Sequence, residues 1–350
     1  MGPGFSNLEG LRKMLQAGSH GLQRWEHAWK GAVSDQCSRQ LERLALGRKE
    51  YAHADRVALL AMLLAERTGS ADAVVIGSAR GATASLETAM ASFLTGERLN
   101  PQTSPSTTAG SISALVARHI GAKSGALSLS MTCGSGLQAV IYGCNLRKAS
   151  GMDVLCGGVE APLTPFTRAQ FDALRLLAHH EAAFPCKPMA LEGNRVVLAE
   201  GGGTLLLADE GKFAIVGWGE AMSVDGSAVT FSGDAMRKAM SGALAMAGLQ
   251  KVDVVVPHAP GTQLGDRLEV EAIRAVTRDS IVYSSKWATG HALGASGLLG
   301  IATGILFLEG GQFYDPLKSA TLTSAPAETV MINSAGFGGN CASVILTKVR

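Results

Sequence analysis

The sequence GALSLSMTCGSGLQAV, at residues 125–140, decides the fold class of this chain. Residues 125–131 predict a β-strand, and the glycines of TCGSG at residues 132–136 predict a sharp turn directly after it. Four apolar side chains follow the turn at helical spacing: Leu137, Val140, Ile141 and Cys144. The apolar run DVLCGGV at residues 153–159 predicts the next strand. A strand, a turn, a helix and a second strand in this order indicate an α/β fold.

The rest of the chain continues this alternation in two halves. The beginning of the chain, up to residue 70, reads as helices, with a buried helix over residues 55–67 before a strand at 73–77. In the second half, strands are predicted at residues 203–208, 213–217, 253–256, 280–284, 330–333 and 342–348, and helices at residues 232–247, 269–276 and 293–308. We therefore expect two similar α/β halves, residues 1–205 and residues 206–350.

The composition indicates a globular chain with a large buried area. Of the 350 residues, 47% are hydrophobic and only 17% are charged, against about 25% charged residues in an average soluble chain. A low charged fraction favours a large core or a large subunit interface. The net charge of +2 provides no bulk field that would attract nucleic acid or an anionic membrane surface.

Neither membrane insertion nor export is indicated by the sequence. The most apolar segment, residues 293–308, contains four glycines. It is also shorter than the ~20 residues of a transmembrane helix, so it predicts a buried, closely packed helix. The N-terminus lacks the basic and apolar regions of a secretion signal. The six cysteines form no Cys-x-x-Cys pair and suit neither zinc nor a disulfide framework. These features favour a reducing compartment, and we expect a cytoplasmic protein.

Cys133 is the strongest candidate for a chemical role. It lies where the predicted strand turns into the predicted helix, with Gly134 and Gly136 directly after it. Unpaired N–H groups at a helix N-terminus stabilise a thiolate and can also hold an oxyanion. Taken alone, the pattern is equally compatible with a small buried residue in a tight turn.

Two histidines and a lysine extend this candidate site. His258 follows the apolar strand predicted at residues 253–256, and His291 follows Lys286 by five residues, between a strand and the glycine-rich helix. In α/β proteins, binding sites lie at the carboxyl ends of strands. Each histidine alone is more typical of a residue with a structural hydrogen bond. Together with Cys133 and Lys286, the two histidines form a candidate active site.

Four motifs, in order, resemble those of the β-ketoacyl synthases of the thiolase superfamily, in the branch with a Cys-His-His triad. They are TCGSG at 132–136, HAPGTQLGD at 258–266, SSKWATGHALGASG at 284–297 and NSAGFGG at 333–339. The first resembles the nucleophile turn of that family. The other three resemble its HGTGTxxGD, SxKxxxGHxxGAxG and NSFGFGG segments. The resemblance extends over roughly residues 70–350 and is specific because the order of all four motifs is kept.

The resemblance implies a thiolase-like fold, with duplicated α/β halves, five-stranded mixed sheets and a five-layered α-β-α-β-α arrangement. It implies an acyltransferase that holds an acyl chain on Cys133 and condenses it with malonyl-loaded acyl carrier protein, in fatty-acid or polyene/polyketide-like biosynthesis. His258 and His291 would hydrogen-bond the thioester oxygen, and Lys286 would organise the two histidines. No metal or redox cofactor is implied.

The same resemblance implies the residues that bind the substrate. The backbone N–H groups of Cys133 and Phe337 would form the oxyanion hole. Phe337 would also act as a gate between the two substrate positions, with Gly338 beside it, and Thr262 would contact the pantetheine arm. Family members pair through sheet edges near the nucleophile strand, which implies a homodimer or a heterodimer with a ketosynthase-like subunit.

Four features depart from the family pattern. Ala259 and Pro260 replace Gly-Thr, which removes a hydroxyl donor to pantetheine. Gly300 replaces a glutamate, so the usual carboxylate partner of Lys286 is absent. Ala335 replaces a phenylalanine, which is expected to open the mouth of the pocket. The family usually opens with an apolar strand ending in Gly-x-Gly, and this sequence starts near the end of that strand. Either the N-terminus is short or the first sheet is built differently.

Two other functions stay open. A non-condensing chain-length-factor-like partner subunit of a ketosynthase heterodimer shares the fold but typically lacks the nucleophile, which this chain keeps. A thiolase would need a second catalytic cysteine in a Cys-x-Gly turn, which Cys341-Ala-Ser does not match. A coenzyme-A-primed synthase would have asparagine in place of His291.

Arg147 and Lys148 are candidate contacts for an acidic carrier protein, although such a pair is more often a charge feature of a helix end.

Overall fold

The computed structural model describes residues 1–190, 194–224 and 232–349. The helices are α1 (Leu8–Gln16), α2 (Asp35–Gly47), α3 (Arg56–Thr68), α4 (Thr83–Leu94), α5 (Thr103–Thr107), α6 (Ser111–Ile120), α7 (Ser135–Ser150), α8 (Pro165–Ala173), α9 (Gly233–Ala247), α10 (Gln263–Val276), α11 (Lys286–Thr289) and α12 (Ser296–Glu309). Short 3-10 helices lie at Lys49–Tyr51 and Leu293–Ala295.

The strands are β1 (Gln23–Trp25), β2 (Ala28–Gly31), β3 (Ala73–Gly77), β4 (Gly125–Leu129), β5 (Val154–Glu160), β6 (Leu198–Ala199), β7 (Gly201–Leu207), β8 (Phe213–Met222), β9 (Val254–Val256), β10 (Ile281–Val282), β11 (Gly311–Asp315), β12 (Ala320–Ser324), β13 (Thr329–Ala335) and β14 (Asn340–Lys348). Strands and helices alternate through both halves, which confirms the α/β class predicted from the sequence.

The sheet of the N-terminal half has the strand order β4-β3-β5-β7. The first three strands run parallel, and β7 pairs antiparallel with β5. This sheet therefore has four strands among the described residues instead of the expected five. Met1 pairs with the outer edge of β7. Its ammonium donates to the Gly202 carbonyl at 2.8 Å, and the Gly202 N–H donates to the Met1 carbonyl at 2.9 Å.

The sheet of the C-terminal half has the expected five strands, in the order β10-β9-β13-β14-β8. Its strands β10, β9 and β13 are parallel, and β14 pairs antiparallel with both β13 and β8. The first four strands of this order repeat the arrangement of the N-terminal sheet, and β8 adds an edge strand. The duplication predicted from the order of elements is thus present in the topology.

Two apolar helices fill the space between the sheets. Helix α7 packs on β3, β5 and β14, and helix α12 packs on β13, β9 and β7. Helices α3 and α6 cover the outer face of the first sheet, while α9 packs on the outer face of the second and α10 packs on α9. These contacts give the five-layered α-β-α-β-α arrangement. The apolar segment predicted as a buried helix is the 3-10 turn at Leu293–Ala295 and α12, and both are buried.

Glycines allow the central layer to pack without side chains in between. A Cβ atom at Gly136 of α7 would lie 2.5 Å from the Gly294 carbonyl oxygen and 2.7 Å from Leu298 Cδ2. A Cβ atom at Gly158 of β5 would lie 2.8 Å from the Gly136 Cα and 2.8 Å from Leu298 Cδ2. Backbones approach this closely only where no Cβ intervenes, so these glycines fix the distance between the two halves.

No described helix combines the length and the apolar character that crossing a bilayer would require.

One sequence-based prediction is wrong near the N-terminus. The beginning of the chain was expected to be helical, but β1 and β2 form an antiparallel hairpin there. Tryptophans stabilise it: Trp25 lies beside the Lys30 ammonium and the Arg168 guanidinium, and Trp29 lies beside Arg24. Aromatic residues favour a strand when tertiary partners cover them. Two of the hairpin's tertiary partners, Arg168 and strand β6, lie far away in the sequence, which is why the local pattern did not reveal the hairpin.

The packing of the central layer predicts a large effect of Gly136→Ala. The added methyl group must displace the Gly294 backbone, so the free energy of unfolding should fall by about 3 kcal/mol, as for other overpacked cores. Gly47→Ala is the matched control, since a Cβ atom there has no neighbour within 4 Å. Urea unfolding of both variants measures the effect, and equal stabilities would contradict this account of the central layer.

Candidate active site

The turn that carries Cys133 joins β4 to α7, as the sequence predicted. Thr132 has a φ of 50°, a left-handed conformation that non-glycine residues rarely adopt. The Ser135 hydroxyl holds this turn: it accepts from the Met131 N–H at 2.9 Å and donates to the Thr132 carbonyl at 2.5 Å. The strained turn is therefore fixed by its own side chains, and it places Cys133 at the start of the helix, 8% exposed.

His291 is in direct contact with Cys133. Its Nε2 atom lies 3.3 Å from the Cys133 Sγ, and its Nδ1 atom lies 3.0 Å from the Ser296 hydroxyl. The backbone of His291 is fixed too, because its N–H donates to the Val197 carbonyl at 2.7 Å. The imidazole is thus oriented from both sides and can exchange a proton with the sulfur.

His258 completes the group that the sequence predicted. It follows β9 and is 4% exposed, and its ring centroid lies 5.5 Å from that of His291 with the rings nearly perpendicular. Cys133 and both histidines line one cavity of about 310 Å³. Three side chains that are more than thirty positions apart in the sequence therefore face a common space.

Glu269 is a structural partner of this site that the sequence analysis did not single out. Its carboxylate accepts from the N–H groups of His258 and Ala259, each at 2.7 Å, and from the Asn333 amide at 3.2 Å. Ala259 has a φ of 22°, so the carboxylate holds a strained loop in place. The available signal was a glutamate on the inward face of α10, one turn after Asp266.

Lys286 lies inside the protein at the base of α11, 7% exposed, and its ammonium donates to the Pro257 carbonyl at 3.3 Å. Burial lowers the pKa of Lys286, whereas the nearby carboxylates of Glu269 and Asp266 raise it. Gly300, where a carboxylate partner was expected, lies within α12. The negative charge that faces this lysine therefore comes from Glu269 and Asp266 of α10. The glycine at position 300 gave no indication of these two partners.

Burial keeps both histidines neutral. It lowers the pKa of His291 to about 3, with a further contribution from the Lys286 charge. It also lowers the pKa of His258 well below its usual range, and the charges of Lys286 and His291 act in the same direction. Neutral imidazoles can accept a proton on one nitrogen and donate a hydrogen bond from the other.

The thiol of Cys133 is protonated in the resting site, which corrects the expectation of a stabilised thiolate. Burial raises the pKa of Cys133 to about 12, and the Glu160 charge contributes further, while Lys286 and a backbone hydrogen bond oppose the change. Desolvation therefore outweighs the N–H groups at the start of α7. Nucleophilic attack consequently requires a base at the sulfur, and His291 is in contact with it.

The three predicted substrate contacts have different positions. Phe337 and Thr262 line the cavity, and so does Ala335, whose small side chain leaves this wall open. The Phe337 carbonyl accepts from the Thr132 hydroxyl at 3.2 Å, which ties this loop to the Cys133 turn. Gly338 does not line the cavity; it lies on the exposed turn beyond Phe337 with a φ of 86°.

The cavity is mainly apolar, with few polar groups around the sulfur. Phe171, Leu174, Leu176, Val196 and Pro260 form much of its wall. Such a space suits an extended uncharged chain better than a polar metabolite. Among the described residues, no cluster of histidine, cysteine and acidic side chains could hold a metal ion.

The candidate carrier contacts Arg147 and Lys148 form other contacts at the end of α7, as is more typical of such a pair. The Arg147 guanidinium pairs with Asp153 at 2.8 Å and with Asp209 at 2.5 Å. The Lys148 ammonium lies 4.7 Å from the centre of the Trp218 ring. Both residues belong to the last turn of α7, whereas Cys133 precedes its first turn, so they are about 20 Å from the reacting sulfur.

The comparisons with known proteins agree with this geometry. The family model of the N-terminal domain of β-ketoacyl synthases matches residues 53–212, and the model of the C-terminal domain matches residues 214–318. Two curated relatives are each 28% identical. The ketoacyl synthase alpha subunit of the tetracenomycin polyketide synthase from Streptomyces glaucescens aligns over 67% of this chain and 63% of its own length. The 3-oxoacyl-[acyl-carrier-protein] synthase 1 of Haemophilus influenzae aligns over 71% and 68%. The chain thus spans about two thirds of the length of these relatives.

Solved structures match over the entire chain. A β-ketoacyl synthase from Burkholderia phymatum superimposes with a TM-score of 0.86 at 22% identity, covering 100% of this chain and 97% of that one. The ishigamide ketosynthase/chain length factor superimposes with a TM-score of 0.84 at 20% identity, with the same coverage. These similarities establish the thiolase-like fold.

The raised pKa of the thiol predicts how Cys133 reacts with iodoacetamide. Because the pKa is about 12, the rate should rise steadily from about pH 7 to about pH 10 without a plateau. In His291→Ala, which removes the base, the rate at neutral pH should fall at least about fivefold. His53→Ala, an exposed histidine outside the cavity, is the control. Mass spectrometry localises the label, and a plateau near pH 8 would show that the site stabilises the thiolate after all.

Proposed function

Because the chain belongs to the β-ketoacyl synthase family, we propose that it is an acyltransferase that condenses an acyl chain held on Cys133 with a malonyl-loaded acyl carrier protein. One observation carries the proposal: the His291 Nε2 atom lies 3.3 Å from the Cys133 Sγ, with His258 beside it, in one apolar cavity. The pathway is fatty-acid or polyketide-like biosynthesis.

In the first step, the Cys133 sulfur attacks the carbonyl carbon of an acyl thioester. His291 accepts the thiol proton as the sulfur–carbon bond forms, which the neutral imidazole permits. The N–H groups of Cys133 and Phe337 stabilise the oxyanion. The carrier thiolate leaves and takes the proton from His291, so Cys133 now carries the acyl chain.

In the second step, malonyl-carrier enters from the mouth of the cavity. Its thioester oxygen accepts hydrogen bonds from the imidazole N–H groups of His258 and His291. For this step the single proton of the neutral His291 ring lies on Nε2, and Nδ1 accepts from the Ser296 hydroxyl. The bond to the carboxylate carbon breaks, carbon dioxide leaves, and its electron pair forms the enolate. The enolate carbon attacks the acyl-cysteine, the β-ketoacyl product stays on the carrier, and the Cys133 sulfur leaves as a thiolate. This thiolate takes up a proton from solvent, which replaces the one that left with the first carrier.

The remaining residues position these groups. Lys286 keeps a positive charge near both imidazoles, which helps to hold them neutral, and Glu269 fixes the loop that carries His258. Thr262 and Phe337 line the path to Cys133, in agreement with a pantetheine contact and a gate. Gly338 follows Phe337 on an exposed turn with a φ of 86°, a conformation that favours glycine.

A specific observation argues against a purely structural partner subunit. Cys133, His258 and His291 are all retained and converge, whereas a non-condensing subunit has no need of this arrangement.

The six cysteines are all buried and none is in a disulfide, which supports the reducing cytoplasm as the location.

We also propose that two subunits pair along strand β4. This strand is an edge of the N-terminal sheet, and its residues Gly125, Ala126 and Leu127 are exposed. Leu127 is 49% exposed, and unpaired edges with apolar side chains are usually covered by another chain. The strand leads directly to Cys133, so pairing there would stabilise the nucleophile turn.

Replacement of the nucleophile provides the main test of the activity. Cys133→Ala should abolish covalent loading from acyl-carrier protein and lower condensation at least about a thousandfold. Cys186→Ala is the matched control, since Cys186 is also fully buried with a pKa of about 12. Intact-protein mass spectrometry and carbon dioxide release measure the two steps. Covalent loading that survives Cys133→Ala would show that Cys133 is not the nucleophile. Decarboxylation by the wild type without condensation would favour the partner-subunit alternative.

The proposed dimer predicts that Leu127→Lys weakens association. A charge at the centre of the paired edge should shift the protein to the monomer at low micromolar concentration. Light scattering measures the molar mass and so detects this shift. Leu46→Lys, at a position that is 86% exposed on α2, is the control and should stay dimeric. A dimer that is unaffected by Leu127→Lys would exclude the β4 edge as the interface.

A further inference from the structure

Glu160 is a buried carboxylate that the proposed reaction does not use. It is the last residue of β5, it is 0% exposed, and it lies opposite Gly201 of β7 in the sheet. A charge without water is costly unless hydrogen bonds or an opposite charge stabilise it. Among residues 1–190, 194–224 and 232–349, none of the ion pairs within 4 Å includes Glu160. The groups that stabilise its charge at short range are therefore hydrogen-bond donors.

The loop after β3 supplies donors on one side of this carboxylate. The Ala79 N–H donates to the Glu160 Oε1 atom. The Ser78 hydroxyl and the Arg80 N–H also lower the pKa of Glu160. Ala79 packs against the apolar cluster that includes Cys133, so the loop that binds the carboxylate borders the surroundings of the reacting sulfur.

The second half of the chain approaches the same carboxylate through Gly294. A Cβ atom at Gly294 would lie 2.6 Å from the Glu160 Oε1 atom and 3.1 Å from the Ser135 Cβ atom, so a side chain there would displace the carboxylate. The Gly294 N–H also lowers the pKa of Glu160. Gly294 follows His291 by three residues, and the Ser135 hydroxyl holds the turn of Cys133. The carboxylate thus lies where the loop after β3, the Cys133 turn and the turn after His291 meet.

The carboxylate also acts on the sulfur through its charge. After burial, the Glu160 charge is the next effect that raises the pKa of Cys133, whereas the Lys286 charge lowers it. Two negative charges in a region without water repel each other strongly. Burial raises the pKa of Glu160 to about 7, so the charge of this side chain changes near neutral pH.

The other charged groups on the elements around Glu160 have partners of their own or lie farther away. The Arg80 guanidinium donates to two side chains of α8. Glu200, just before β7, pairs with Arg56 of α3, and Asp55 caps that helix. The remaining charges of α3, α7 and α12 lie in their last turns, at Glu66, Arg67, Arg147, Lys148 and Glu309. The titratable groups that share the junction are therefore Glu160, Cys133 and His291.

We propose that Glu160 is a positioning residue for the reacting pair: its carboxylate joins the loop after β3 to the turn that follows His291, and its negative charge disfavours the thiolate of Cys133. The inference rests on the proposed function, in which Cys133 is the nucleophile. The first role depends on the reach of the side chain and the second on its charge, so two variants separate them. Glutamine keeps the length and accepts the same N–H groups without a charge. Aspartate keeps the charge but is one methylene shorter.

Labelling of the thiol with dipyridyl disulfide tests the effect of the charge. At about pH 9, Cys133 of Glu160→Gln should react at least about fivefold faster than in the wild type, because removal of a nearby negative charge lowers the thiol pKa. At about pH 5.5 the two rates should agree within about twofold, because Glu160 is then protonated in the wild type. The ratio of the two rates cancels the pH dependence of the reagent, and mass spectrometry localises the label. A carboxylate with a purely structural role would not give this dependence on pH.

Glu200→Gln is the matched control for the charge. Glu200 is also buried, 3% exposed, and accepts from the Val33 N–H at 3.0 Å, but its charge acts on the pKa of Cys37. Labelling of Cys133 in this control should stay within about twofold of the wild type at both pH values. Equal rates for Glu160→Gln and the wild type at about pH 9 overturn the role of the charge. An acceleration that persists unchanged at about pH 5.5 overturns it as well.

Transfer of an acyl group from an acyl-pantetheine donor tests the positioning role. At saturating donor, Glu160→Asp should load Cys133 at least about tenfold more slowly than the wild type, with KM within about twofold, because the shorter carboxylate cannot hold both segments. Its labelling at about pH 9 should stay within about twofold of the wild type, since the charge is kept. Glu160→Gln should load at least about a third as fast as the wild type. Loading by Glu160→Asp at the wild-type rate overturns the positioning role.

The two measurements distinguish a failure of this inference from a failure of the proposed function. Labelling needs no acyl donor, so a wild type that labels as expected but neither loads nor condenses refutes the proposed function and leaves the effect of the charge in place. A wild type that condenses while Glu160→Gln changes the labelling at neither pH refutes the role of the charge alone. Near-UV circular dichroism shows which variants are folded, and each variant is decisive without the other.

Discussion

The close approach of the two central helices is the constraint on which the rest of the structure depends. Gly136 at the start of α7 contacts the backbone of Gly294, in the 3-10 turn just before α12. Cys133 lies three residues before the first glycine, and His291 lies three residues before the second. The same contact that joins the two halves therefore brings the sulfur and the imidazole to 3.3 Å.

This central position has an electrostatic consequence. Groups between two packed sheets are removed from water, so burial raises the pKa of the Cys133 thiol and lowers the pKa values of both histidines. All three groups are neutral at rest, and a buried neutral site avoids the large cost of an unpaired charge. Lys286 and the carboxylate of Glu269 are the charged groups nearby, and each favours the charged form of the other.

The chemical character of the cavity follows from its lining. The interior is apolar and holds few polar groups. Hydrogen bonds fix the His291 ring to Ser296 and the His258 backbone to Glu269. Two of the lining leucines, Leu174 and Leu264, are exposed at the surface. The acyl chain that we propose as the substrate is suited to this apolar interior.

The sequence by itself determined the α/β class and the duplicated halves, because strand, turn and helix signals are local. It also singled out Cys133, His258, His291 and Lys286 as candidate site residues, because the four motifs keep their order. It did not reveal the hairpin of β1 and β2, the four-stranded first sheet or the role of Glu269, since each depends on partners that are distant in the chain. The protonation state of Cys133 was also decided by the tertiary structure. A helix N-terminus favours the thiolate, but the two sheets around it exclude water, and the cost of burying a charge is the larger effect.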